Sequence, residues 1–136
     1  MYRRILLFIV STILLLCGGC SESDKVFKGV PQKHRALIEE VAEGIKPTDI
    51  NPFIGAFMSI EEGESRIVAV KKRSKSAANI GEYIFIVDVS DCIKGDSNAE
   101  LYVPARIIII DEDRYEVYHY NKLCRTLADA LEYLDY

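Results

Sequence analysis

Two histidines and four cysteines are the residues in this chain whose types suit metal or nucleophilic chemistry: His34, His119, Cys17, Cys20, Cys92 and Cys124. Zinc takes about four N, S or carboxylate ligands at workable spacing. Neither histidine has such neighbours in sequence, so His34 reads as an exposed helix residue and His119 as a sheet residue among tyrosines. Cys92 and Cys124 are too far apart in sequence to make a Cys-x-x-Cys pair, and His119 lies five residues before Cys124, which matters only if the fold joins them. Asp88, Asp91, Asp96, Asn98 and Glu100 gather the oxygen ligands that calcium favours. The sixth position counted from Asp96 is Leu101, where a twelve-residue calcium loop needs glycine, so ordinary turn chemistry is the reading. Asp111, Glu112 and Asp113 read as a solvated hairpin tip. No glycine-rich phosphate loop and no Gly-x-Ser-x-Gly occurs. The expectation is a non-enzyme with no catalytic, cofactor or metal site.

Contact chemistry is better represented. Lys71, Lys72, Arg73 and Lys75 form one basic cluster in an acidic chain. Such a cluster serves as a charged loop that discourages edge pairing, or it meets lipid phosphates or an acidic partner. Tyr115, Tyr118, Tyr120, Tyr133 and Tyr136 concentrate near the C-terminus. Tyrosine packs cores and also anchors interfaces, because it buries area while keeping a polar handle. Asp129, Glu132 and Asp135 occupy the last helical pattern, where the helix dipole prefers cations. The candidate contact patch is therefore Lys71, Lys72, Arg73, Lys75, Tyr133 and Tyr136.

With 136 residues, 49% hydrophobic and 28% charged, the chain holds material for one domain. A net charge of -4 gives no support to nucleic-acid binding. The apolar residues are unevenly placed. Arg3 and Arg4 precede a largely apolar run from Ile5 to Leu16, interrupted by Ser11 and Thr12 and followed by Cys17-Gly18-Gly19-Cys20-Ser21. A cationic start, a short apolar stretch and a small-residue exit make a secretory signal. As a helix the run spans roughly 18 Å, against about 30 Å of hydrocarbon, which argues against a permanent span.

Gly18-Gly19-Cys20 resembles the bacterial lipoprotein signal, in which two small residues precede a modified cysteine; Cys17 stands where that pattern usually has leucine. The resemblance implies cleavage before Cys20 and thioether attachment of diacylglycerol to Cys20, with acyl chains such as palmitate holding the chain at the membrane. Ser21, where aspartate would retain such a protein in the inner membrane, implies the outer membrane and a periplasmic domain; in a Gram-positive host the domain would lie outside the cytoplasmic membrane. Removing residues 1–19 takes away Arg3 and Arg4, leaving 15 cations against 21 acids, a net charge of -6. Cys92 and Cys124 are then the two cysteines left in a compartment where disulfides persist. A Cys92–Cys124 disulfide is expected, closing a loop of roughly 33 residues and contributing about 3–4 kcal/mol.

The organisation expected is a signal over 1–19, a lipidated cysteine and polar tether over 20–30, and one domain over 31–136. After Pro31, Leu37, Ile38, Val41, Ala42 and Ile45 share one helical face, and Lys46-Pro47 ends the run. Residues 47–65 read as a packed turn or short strand. Strands are predicted at 66–71, 83–89, 101–110 and 115–120, with Pro104 at a bulge or strand start. Leu123, Leu127, Ala130, Leu131 and Leu134 predict a closing helix capped by Asn121 or Thr126. The fold class expected is α+β, with an N-terminal helix, about four antiparallel strands and a C-terminal helix in two layers, both helices covering one face.

The function expected is a protein-binding accessory module of the cell envelope. Anchoring to the membrane through Cys20 would raise its concentration near an envelope protein partner. Two alternatives remain open: an immunity lipoprotein neutralising a periplasmic toxin through complementary charge, and a small-ligand or lipid carrier with a cavity between helices and sheet.

Overall fold

The computed structural model describes residues 22–73, 77–95 and 98–136. The expected signal over 1–19, Cys20, Lys75 and Asp96 lie outside the described residues. No described helix is long and apolar enough to cross a membrane.

The centre of the fold is β3, Gly81–Asp88, buried from Gly81 through Val87. A strand buried on both faces must be central and apolar nearly throughout. It pairs antiparallel with β2, Arg66–Lys72, and with β5, Tyr102–Ile109. Beyond β5 lies β6, Tyr115–His119, giving a four-stranded meander in the order β2-β3-β5-β6. Two short strands, β1 at Ser59–Ile60 and β4 at Ile93–Lys94, make a separate ribbon. The β5–β6 ladder stops at Ala105–His119, one step short of Pro104, so the missing proline N–H leaves no gap on that side. A bulge between Ile67 and Ala69 keeps Ile67 and Val70 on one face while Val68 and Ala69 take the other.

Strand alternation gives the sheet two unlike faces. Tyr83, Phe85, Val87, Val103, Ala105 and Ile107 point to the front. Ile86 and Tyr102 point to the reverse. Helix α2, Gln32–Glu43, covers the front with Ile38, Ala42 and, just beyond its end, Ile45. Pro31 stands immediately before the helix, where its fixed φ and missing N–H cost nothing. A short helix, α3 at Pro47–Ile50, and a 3-10 turn at Ile54–Ala56 follow. The α+β class, with helices flanking an antiparallel sheet, is what the structure shows.

Four details differ from the sequence expectation. First, the chain folds earlier than residue 31. Helix α1 spans Glu22–Val26, Phe27 is 5% exposed, and Arg35 lies 2.9 Å from Asp24 and 4.8 Å from the Phe27 ring. The polar appearance of this stretch hid three apolar residues, Val26, Phe27 and Val30, that pack on the front core.

Second, the C-terminal helix α4, Leu127–Leu131, and the 3-10 turn after it pack on the reverse face, so the helices do not share one face. Cys124 and Tyr102 exchange backbone hydrogen bonds of 2.9 and 2.8 Å, which leads the chain to that side. Thr126 caps α4 by accepting from the Asp129 N–H at 3.1 Å.

Third, Cys92 and Cys124 are both unbonded. Cys92 belongs to the front core and Cys124 to the reverse cluster, whereas a disulfide needs Cα atoms within about 7 Å. Burial pushes both thiols up from their ordinary pKa, with Asp91 adding to the effect at Cys92 and Asp129 at Cys124. Native unreduced mature protein, lacking Cys17 and with Cys20 acylated as expected, should therefore alkylate slowly, and once denatured should take two labels by mass; a denatured protein taking none would restore the disulfide.

Fourth, His34 is half-buried rather than exposed. Its Nδ1 lies 2.6 Å from the hydroxyl of fully buried Tyr83, with the rings edge to face. Gly81 admits this contact, since a Cβ there would fall 2.8 Å from the imidazole.

Candidate functional site

The reverse face divides into a part under α4 and an open polar part. Register puts Lys71, Ile84, Arg106 and Tyr118 in one row across the sheet. Arg73 continues β2 and donates its N–H to the Glu82 carbonyl at 2.8 Å, aligning it with Glu82 in the next row.

Glu82 is the one buried charged residue among the described residues, 9% exposed. Its Oε2 takes Nη2 of Arg106 and has Nε of Arg73 at 3.8 Å. A buried carboxylate requires such partners, because an unpaired charge out of water is prohibitive. Each guanidinium keeps about a third of its side chain exposed, so cationic surface remains beside the buried acid.

The C-terminus completes the face. Tyr120 sits 5.1 Å from Tyr133 and 6.0 Å from Tyr136, and Tyr133 stacks on Tyr136 at 4.8 Å. Lys71 Nζ meets Asp135 at 3.1 Å and ties β2 to this segment. Burial pushes the Tyr120 hydroxyl above its ordinary pKa, while the Arg106 and Arg73 charges oppose the rise. Tyr120 Oη and Arg106 Nε are buried without a hydrogen-bond partner, an unusual pair of defects on one face. Tyr118 and Tyr136 stand about half exposed at the margin.

The structure thus brings together Lys71, Arg73, Tyr133 and Tyr136 from the sequence-derived patch. It separates Lys72, which registers with Tyr83 and lies on the front side. Glu82, Arg106, Tyr118 and Tyr120 were not in that patch. Glu82 and Arg106 carried one signal, a charge at an alternate position inside an otherwise apolar strand; their partnership required the β3–β5 register.

The acidic loop is occupied with turn and capping bonds. Asp88 accepts the Ser90 N–H at 2.9 Å and pairs with Arg66 at 3.3 Å, and Asp91 accepts the Glu64 N–H at 2.8 Å. Glu100 accepts the Tyr102 hydroxyl at 2.6 Å; that bond, with burial, holds the Tyr102 pKa up at about 12. Among the described residues, no three His, Cys, Asp or Glu side chains are grouped to hold a metal ion. An open cleft of about 600 Å³ runs between α1, the end of α2 and the start of β2, with Glu39, Glu43 and Arg66 among its walls.

No family model matches this chain, and no curated protein or solved structure shows significant similarity to it.

Proposed function

We propose that this chain is a lipid-anchored envelope lipoprotein, held at the outer membrane through Cys20, whose periplasmic domain binds a protein partner through the Arg73–Arg106–tyrosine face. The observation that carries this reading is the convergence of Lys71, Arg73, Arg106, Tyr118, Tyr120, Tyr133 and Tyr136 on one open surface. Exposed tyrosines beside arginines are the residue types that concentrate binding energy at protein interfaces. Two partly exposed guanidiniums sharing one buried carboxylate suit a partner that brings an acidic side chain. Anchoring adds effective concentration near a partner in the same membrane without any new contact.

The test places photo-crosslinking benzoylphenylalanine at Tyr118, Tyr136 or, as a control, Glu112 in lipidated protein in native envelopes. Positions 118 and 136 are expected to capture one stoichiometric protein and position 112 none. Arg73→Glu should reduce that capture about tenfold, the equivalent of about 1.4 kcal/mol. Equal capture from all three positions, or none from 118 and 136, would sink the proposal. The partner's identity then separates an envelope assembly component from a toxin.

A further inference from the structure

Phe53 and Phe57 are the most exposed large apolar side chains among the described residues, at 75% and 80%. They flank the 3-10 turn Ile54–Ala56, and that turn is held firmly. Asn51 Oδ1 accepts the Phe53 N–H at 3.0 Å, and the Asn51 carbonyl accepts the Ile54 N–H at 3.1 Å. The Ile54 carbonyl accepts from Phe57 and Met58 at 3.0 and 3.1 Å, while the Ile54 side chain, 7% exposed, roots the turn. The two rings are therefore presented on a braced support. From Ile50 to Ile60 the sequence has no charged residue, so covering this tip with hydrocarbon buries no ion.

We infer that this turn is a second membrane contact, with Phe53 and Phe57 inserting into the interfacial layer of the bilayer that holds the acyl anchor. The inference rests on the lipidation of Cys20 proposed above. The described structure begins at Glu22, two residues beyond Cys20, and two extended residues reach about 7 Å. A domain acylated there stays against the bilayer, and one of its faces must rest on it. Ile50, Met58 and Ile60 pack into the front core, so the turn stands on the front side of the sheet, away from the Arg73–Arg106–tyrosine face. A membrane under the front leaves the reverse face directed into the periplasm, open to a partner. Asp49, Glu61 and Glu62 flank the uncharged tip, so insertion is weaker where the bilayer surface is anionic.

The chain has no tryptophan, so Phe57→Trp in the full lipidated protein is a single fluorescent reporter at an exposed site. In phosphatidylcholine–phosphatidylethanolamine vesicles its emission is expected to shift to the blue. Bromines on the acyl chains should quench it about twofold, as for a side chain at the acyl boundary. Glu116→Trp, exposed on the reverse face of β6, should show neither effect. Vesicles that carry the protein on flotation yet leave the Phe57→Trp emission aqueous and unquenched would overturn the inference while leaving the anchor intact. Protein that neither floats nor carries acyl mass on its N-terminal peptide would overturn the anchor and the inference together. Reporter burial seen in native envelopes but absent in vesicles would assign the turn to a protein instead.

Discussion

Glu82→Ala is expected to lower the unfolding free energy by about 3 kcal/mol, because it strands the paired Arg106 guanidinium, whose buried Nε has no hydrogen-bond partner. Removing one member of a buried ion pair costs about 3–5 kcal/mol. The lower end applies here, since both arginines keep contact with water that screens them. Glu82→Gln retains shape and a hydrogen-bond acceptor and should lose roughly half as much. The double variant Glu82→Met/Arg106→Met should recover much of the deficit, since both charges leave together and apolar volume replaces them. Urea unfolding with unchanged slope reads the differences directly. A Glu82→Ala midpoint within about 0.5 kcal/mol of the parent would mean that the pair is hydrated and that Glu82 does not organise the face.

Cys20→Ser is expected to move the protein from the membrane fraction to the soluble fraction without altering its stability. The proposed thioether to diacylglycerol would require the thiol. Each buried acyl CH2 is worth about 0.8 kcal/mol, so losing two or more chains removes durable attachment altogether. The described residues begin at Glu22, beyond the substituted position, so the domain should unfold at the same urea concentration. Cys17→Ser should leave attachment intact, because the proposed cleavage before Cys20 would discard that residue. Fractionation with intact-mass measurement decides the matter. Attachment that survives Cys20→Ser, or that fails with Cys17→Ser instead, would move the anchor. The two Phe residues of the 53–57 turn would not hold the protein by themselves, since one weak apolar contact gives only reversible binding.

Local patterning carried much of the fold. A 3.6-residue apolar period marked α2, and period-two or continuous β-branched runs marked β2, β3, β5 and β6, because those signals depend on neighbours close along the chain. Thr126 as the cap of the last helix was legible for the same reason: capping joins residues three apart. The acidic turns were readable because Asp and Asn bond their own backbone.

What the sequence by itself determined about this chain is the α+β class, the strand series, and a cationic, apolar and small-residue N-terminus that resembles a lipoprotein signal. What only the tertiary structure decided is which side of the sheet each distant segment occupies. Cys92 and Cys124 separate into front and reverse clusters, and α4 lies opposite α2, because burial patterning says that a residue faces inward without saying toward which face. Glu82, Arg73, Arg106 and Tyr120 become one surface through register between strands many residues apart, a long-range choice that local propensity does not encode.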